Sequence, residues 1–153
     1  MYSKIYGVSS CVARFFNVYG PRHLKTGPYS TVVGIFEEQY AEKSPLTATG
    51  DGEQRRDFTH VFDICSGLIA MSKDSHSGTI FNLGTGKNYS INELAKLFTG
   101  SEIKHIPKRP GEARVTLADI SKAKELLGWG PQHNLEDYVK NYVSSMSINK
   151  TEV

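Results

Sequence analysis

The sequence lacks long hydrophobic runs, and no part of its 153 residues approaches the roughly 20 consecutive apolar residues of a membrane helix. Its first residues also lack the pattern of a secretory signal peptide. Cysteine is scarce, and Cys11 and Cys65 lie in apolar runs without the spacing of metal ligands. We interpret both as small buried hydrophobic residues in a reducing compartment. These absences predict a cytoplasmic protein with no membrane partner and no bound metal.

A strong charge imbalance is also missing, because 18 Lys and Arg residues stand against 16 Asp and Glu residues, for a net charge of +2. The basic residues are scattered rather than clustered, which argues against a nucleic acid partner. A hydrophobic content of 39% and a charged content of 22% are typical of a globular protein. The length predicts a single domain over residues 1–153.

The first third of the chain predicts one strand and one helix. Residues 11–18 (CVARFFNV) form a nearly continuous apolar run, which is typical of a strand covered on both faces. After a polar loop, a helical period places Val and Phe side chains on one face. The same period places Glu37, Glu38 and Glu42 on the opposite, polar face.

Strands and helices continue to alternate in the rest of the chain. Short strands are expected at residues 46–49, 79–83 and 102–106, with helical patterns between and after them. This alternation predicts an α/β fold whose short strands form more than one small sheet.

Local signals predict where the later helices begin and end. Ser90, followed three residues later by Glu93, forms a capping box at a helix start. Gly128 is expected to stop the next helix, and Asn134 to cap the last one.

The stretch at residues 50–63 (GDGEQRRDFTHVFD) combines a turn, a charged segment and a helix start. Asp63 is expected to cap a helix that begins at Ile64. The residues expected to be buried on that helix are Ile64, Leu68, Ile69 and Met71.

The charged segment of this stretch has two interpretations. Arg55 and Arg56 lie at a chain reversal, and guanidinium groups bind phosphate or carboxylate oxygens two at a time, which favours an anion site. The alternative is that an ion pair between an arginine and Asp57 pins the loop, since such surface pairs are common. The residues alone leave both interpretations open.

Four motifs, in order, resemble those of one protein family. They are residues 14–21 (RFFNVYGP), residues 50–63, residues 81–86 (FNLGTG), and residues 109–112 (RPGE) with the following 118–119 (AD), 121–123 (SKA) and 127–129 (LGW). This pattern resembles the extended short-chain dehydrogenase/reductases that act on nucleotide sugars. The nearest members are UDP-glucose 4-epimerase-like enzymes and related dehydratases.

The resemblance covers only the C-terminal, substrate-binding part of such enzymes. It implies a small substrate-binding domain, plus strands at 13–18 and 80–83 that would complete a missing Rossmann sheet. The family binds NAD through an N-terminal G-x-x-G-x-x-G motif, which this sequence lacks, so NAD is expected in the complete family enzyme and not on this chain alone. The family's catalytic Tyr and Lys stand four apart, whereas Tyr2 and Lys4 stand two apart, so we predict no catalytic residue.

The resemblance also implies a set of substrate-binding residues. Arg56 and Arg109 match arginines that contact the substrate pyrophosphate. Glu112 matches an acidic residue at the nucleotide ribose, and Asn17 an asparagine at the phosphate or sugar. Thr47 and Thr49 lie where the family uses backbone groups to hold uracil. The predicted site is therefore Asn17, Thr47, Thr49, Arg56, Arg109 and Glu112.

Other conspicuous residues receive structural interpretations. Arg55 and His60 are expected to be solvated or structural, and Trp129 to be a packing anchor. Arg114 could supply a further phosphate contact.

The predicted function is binding of a nucleotide sugar, and specifically a UDP-sugar, as the substrate domain of an NAD-dependent 4-epimerase-like enzyme, without activity on its own. The alternatives are a stand-alone, non-catalytic nucleotide-sugar-binding module and a self-associating structural fragment. The expected partners are the nucleotide sugar and either further copies of the chain or a complementing NAD-binding half. Unpaired edges of the predicted strands favour self-association.

Overall fold

A computed structural model describes residues 2–73 and 76–148. Met1 and the tail from Asn149, which the sequence predicts to be frayed, lie outside the described residues. The helices are α1 (Tyr2–Tyr6), α2 (Val32–Ala41), α3 (Val61–Met71), α4 (Ile91–Leu97), α5 (Ser121–Leu127) and α6 (Leu135–Ile148). The strands are β1 (Val12–Phe15), β2 (Val18–Tyr19), β3 (Leu46–Thr49), β4 (Arg55–Arg56), β5 (Thr59–His60), β6 (Ile80–Leu83), β7 (Tyr89–Ser90) and β8 (Ile103–Ile106).

The strands form short pairs rather than one broad sheet. β1 pairs with β6, β2 with β5, and β3 with β8, all in parallel, whereas β4 and β7 are antiparallel. The prediction of an α/β chain with short strands in several small sheets is confirmed. The predicted strand at 11–18 is divided, because the chain leaves β1 at Phe16 and resumes pairing only in β2.

The larger hydrophobic core joins α2, α4 and α6 to β3. Phe36, Leu46 and Phe98 are at most 1% exposed. Phe36 and Phe98 meet edge to face with ring centroids 5.9 Å apart, an arrangement that aromatic quadrupoles favour. Leu135 and Val139 of α6 complete this core, so the last helix is held by its apolar face.

A second hydrophobic core lies between α3, α5 and β6. Phe81 and Leu83 of β6 are fully buried in it. Trp129 donates its indole N–H to the Asp63 carbonyl oxygen at 3.1 Å and to Ser66 Oγ at 2.9 Å. Trp129 is therefore a packing anchor, as predicted.

The predicted helix ends that depend on near neighbours are confirmed. Ser90 and Glu93 form a reciprocal capping box at α4. Gly128 ends α5 in the left-handed region at φ 61°. Asn134 accepts the backbone N–H of Glu136 at 2.8 Å, as a cap for α6 requires.

The predicted start of α3 is wrong, and its predicted buried face is only half right. The helix begins at Val61, and the His60 side chain caps it by accepting the Phe62 N–H. Asp63 is instead buried in the first turn, where its carboxylate accepts the backbone N–H groups of Gln132 and His133. Competition from these remote donors explains why Asp63 does not cap. Of the residues predicted to be buried, Ile64 and Met71 are, but Leu68 and Ile69 are exposed.

The polar face predicted for α2 is also partly wrong, because Glu37 is only 3% exposed. His23 Nε2 and Lys25 Nζ each lie 3.0 Å from Glu37 Oε2. Tyr138 donates its hydroxyl to Glu37 Oε1 at 2.8 Å. These donors replace the water that a buried carboxylate loses, so the side chain can enter the core.

The β1 strand is not covered on both faces, contrary to its apolar pattern. Val12 and Phe15 are each 52% exposed. β1 pairs only with β6 among the residues that the structure describes. Cys65, predicted to be buried, is exposed on α3, while Cys11 is partly buried. An apolar surface is thus left open beside β1.

No helix within residues 2–73 and 76–148 has the length and apolar character to cross a membrane.

Candidate functional site

A cleft of about 360 Å³ opens beside β3 and the start of α2. Its lining includes every residue of the predicted site, namely Asn17, Thr47, Thr49, Arg56, Arg109 and Glu112. These residues are dispersed over nearly a hundred positions of sequence, and the fold brings them to one cavity.

The alternation of β3 explains why its threonines line the cleft. Leu46 and Ala48 are fully buried in the core, whereas Thr47 and Thr49 point to the opposite side. Thr47 is held by Gln39, whose amide donates to the Thr47 hydroxyl at 2.8 Å and accepts the Thr47 N–H at 3.0 Å. This double contact fixes the middle of the strand at the cleft wall.

Arg56 lies in β4 with only 11% of its side chain exposed. Its Nη2 donates to Glu112 Oε1 at 3.1 Å and its Nη1 to the Arg55 carbonyl oxygen at 2.9 Å. The other oxygen of Glu112 accepts the Thr49 hydroxyl at 3.1 Å. The guanidinium is therefore held in a defined position at the cleft, rather than free in solvent.

Arg109 and Asn17 are the exposed members of the site. The guanidinium of Arg109 has no hydrogen bond or ion pair with another described residue, so all its N–H donors are available to a ligand. Asn17 is held by its backbone, since its carbonyl oxygen accepts the Thr59 N–H at 3.0 Å. The site thus combines one fixed arginine with one free arginine.

Apolar residues and a glutamine outside the predicted site also line the cleft. Phe58 and Ile91 contribute buried apolar surface, and Gln54 a buried amide. The position of Gln54, two residues before Arg56 in the same turn, is the one sequence signal that could have identified it.

The interpretation of an Arg–Asp pair at residues 55–57 is wrong. Arg55 turns away to Asn88 and to Glu93, at 2.8 Å from each, and Arg56 binds Glu112. Asp57 is fully buried, and its carboxylate accepts hydrogen bonds from Thr85 and from two further backbone N–H groups. Each charge at this reversal therefore has its own partner elsewhere in the chain.

The turn at Gly84-Thr85-Gly86 does not fit the pyrophosphate of a dinucleotide. The N–H groups of Thr85 and Gly86, which a phosphate-binding loop would direct to its ligand, donate to Asp57 at 2.8 and 2.9 Å. A Cβ at Gly84 would lie 2.3 Å from the Ala118 Cβ, so this glycine allows close packing instead.

The remaining candidates lie outside the cleft. His60 is buried and structural, as predicted. Arg114 pairs with Asp51 at 2.7 Å on the surface, and this hydrogen bond lowers the pKa of Asp51 to about 2. Lys4 is exposed in α1, and the side chain of Tyr2 lies outside the described part of the chain. Among the described residues, no three His, Cys, Asp or Glu side chains gather as metal ligands would.

Comparison with protein families gives one match over nearly the whole chain. Residues 1–142 match the family described as GDP-mannose 4,6 dehydratase. Among curated relatives, the UDP-glucuronate 4-epimerase of Thermodesulfobacterium geofontis is 38% identical over 149 residues, which cover 94% of this chain and 45% of the relative. The UDP-glucuronic acid decarboxylase 1 of Arabidopsis thaliana is 37% identical, over 94% of this chain and 33% of its own length.

Solved structures give the same picture. The UDP-glucose 4-epimerase of Thermotoga maritima, solved with UDP-glucose, superposes with a TM-score of 0.86 at 36% identity. That match covers 98% of this chain and 49% of the epimerase. The UDP-glucuronic acid 4-epimerase of Bacillus cereus, in complex with UDP-glucuronic acid and NAD, gives a TM-score of 0.83 at 29% identity, over 97% of this chain and 48% of the enzyme. The chain thus spans about half the length of these relatives, or less.

Proposed function

Because the chain belongs to the GDP-mannose 4,6 dehydratase family of NAD-dependent nucleotide-sugar epimerases and dehydratases, we propose that its cleft binds a nucleotide sugar, specifically a UDP-sugar. The relatives named above support this choice, since they act on or were solved with UDP-sugars. The observation that carries the proposal is the convergence of Arg56, Arg109 and Glu112 in one cleft with a threonine-lined strand and an apolar wall.

In this proposal the two arginines bind the diphosphate. Arg56 offers a fixed guanidinium and Arg109 a free one, and charged hydrogen bonds of this kind contribute about 1.5–3 kcal/mol each. Glu112 lies beside Arg56 and is assigned to the ribose hydroxyls, and Asn17 to the phosphate or sugar. Backbone groups near Thr47 and Thr49 are assigned to the base.

The chain is proposed to be the C-terminal, substrate-binding part of such an enzyme and to be inactive alone. The Gly84-Thr85-Gly86 turn gives its N–H groups to Asp57, so no NAD site is assigned to it. NAD, which is the hydride acceptor, and the catalytic base would then belong to a separate NAD-binding part. A stand-alone binding module would bind the nucleotide sugar without any NAD-binding partner. A structural fragment would bind neither the nucleotide sugar nor NAD.

Calorimetric titration with UDP-glucose tests the proposal, with NAD as a parallel ligand. We expect weak binding, with a dissociation constant on the order of 1 mM (about 4 kcal/mol), and no heat with NAD. Arg56→Ala and Arg109→Ala should each weaken binding by more than about tenfold, because each removes charged hydrogen bonds to the phosphates.

Arg55→Ala is the matched control for these variants. It removes the same charge from the neighbouring residue, whose side chain binds Asn88 and Glu93 rather than lining the cleft. UDP-glucose affinity should therefore stay within twofold of the wild-type value. An equal loss in all three variants would leave only a general charge effect, and binding of NAD alone would contradict the assignment of the cleft.

The open surface beside β1 supports a further partner of the chain. Val12, Phe15 and Ile80 expose apolar side chains on the β1–β6 pair, and open strand edges favour pairing with another chain. In the purified chain, where no complementing NAD-binding half covers this surface, we expect a dimer or higher oligomer at tens of micromolar by light scattering. Val12→Lys should shift the chain toward the monomer, whereas a monomeric wild-type chain would contradict self-association.

A further inference from the structure

Gln54 is a buried polar residue whose amide orientation is fixed by its partners. It is 5% exposed, and its Nε2 donates to the Thr49 carbonyl oxygen at 3.0 Å and to Thr49 Oγ1 at 2.8 Å. A carbonyl oxygen can only accept, so the nitrogen and not the oxygen of the amide must face Thr49. Both N–H groups of the amide are thereby used within the chain.

The orientation of this amide sets the direction of the next hydrogen bond. Since Thr49 Oγ1 accepts from Gln54, its single proton is directed to Glu112 Oε2 at 3.1 Å. Oε1 of Glu112 then accepts from Arg56 Nη2 at 3.1 Å. The hydrogen bonds thus link the Gln54 amide to the Thr49 hydroxyl, and that hydroxyl to the Glu112 carboxylate. The last link joins this carboxylate to the Arg56 guanidinium.

The far end of this chain is the arginine assigned to the phosphates. Arg56 makes one other side-chain hydrogen bond, from Nη1 to the carbonyl oxygen of the adjacent Arg55 at 2.9 Å. Among the described residues, Glu112 therefore supplies the only hydrogen bond from a distant segment to this guanidinium. An arginine held before the ligand arrives loses less conformational entropy on binding.

We propose that Gln54 is a positioning residue of the anion site. Through Thr49 and Glu112 it holds the Arg56 guanidinium where a ligand phosphate meets it. This inference rests on the proposed function and extends it to a residue that has no free N–H for the phosphate.

A double-mutant cycle on UDP-glucose affinity tests the inference. Gln54→Met keeps the side-chain size but removes the donor, and Thr49→Val removes the hydroxyl that continues the chain. Each variant should weaken UDP-glucose binding about fivefold. The double variant should bind no more weakly than either single variant, because both changes break the same chain of hydrogen bonds.

The outcomes separate this inference from the proposed function. Unchanged affinity in Gln54→Met, with normal binding by the wild-type chain, would overturn the inference alone. Losses that multiply in the double variant would also overturn it, because Gln54 would then act independently of Thr49. If the wild-type chain fails to bind UDP-glucose, the proposed function falls, and this inference with it. A thermal unfolding midpoint above the titration temperature, measured for each variant, verifies that the titrated protein is folded.

Discussion

Asp57→Asn is expected to destabilise the fold by about 3–5 kcal/mol, the largest effect of any substitution considered for this chain. Asp57 is fully buried. Its Oδ1 accepts from the N–H and the hydroxyl of Thr85, at 2.8 and 2.6 Å. Its Oδ2 accepts from the N–H groups of Gly86 and Ala118, at 2.9 and 3.1 Å. One carboxylate thus joins three separate segments.

An asparagine cannot replace this acceptor in either orientation. Whichever way its amide is turned, the NH₂ group faces at least one backbone N–H, so two donors meet and a buried N–H is left without a partner. Urea unfolding, followed by the fluorescence of the single tryptophan, Trp129, measures the loss. Asp137→Asn makes the same charge change at an exposed position of α6 and should cost well under 1 kcal/mol. A similarly small effect in Asp57→Asn would contradict the role of the second oxygen.

Glu37→Gln is expected to destabilise the fold by about 2–3 kcal/mol at neutral pH, and by progressively less in acid. Burial raises the pKa of Glu37, but the hydrogen bonds from His23, Lys25 and Tyr138 outweigh it and hold the pKa below its ordinary value of 4.5. The folded state therefore binds this proton more weakly than the unfolded chain does.

The direction of the pH dependence follows from the lower pKa of Glu37 in the folded state. The stabilising contribution of Glu37 is fully present above the unfolded pKa of 4.5, and it is lost as the pH falls through the lower folded pKa. The unfolding free energies of wild type and Glu37→Gln should therefore converge as the pH falls below 4.5 and through the lower folded pKa. Glu42→Gln, at an exposed position just after the same helix, should show no comparable convergence. A constant difference from pH 7 to pH 3 would contradict the depressed pKa.

The candidate site shows how far a sequence can lead. Motif resemblance predicted Arg56, Arg109 and Glu112 as partners of one ligand, and all three line the same cleft. It did not predict that Arg56 pairs with Glu112, since the two residues lie 56 positions apart. Gln54 was missed for the same reason, because its amide matters only through Thr49 and the carboxylate beyond it.

The sequence by itself determined the alternation of short strands and helices, and the helix ends at Ser90, Gly128 and Asn134. Those features depend on hydrogen bonds and dihedral angles within a few residues, so local chemistry is sufficient. Tertiary structure alone decided which acidic residues are buried. Glu37 and Asp63 were predicted at a polar face and a cap, yet both are buried. A carboxylate enters a core only where remote segments supply donors, and those donors are brought together by the fold and not by neighbouring residues.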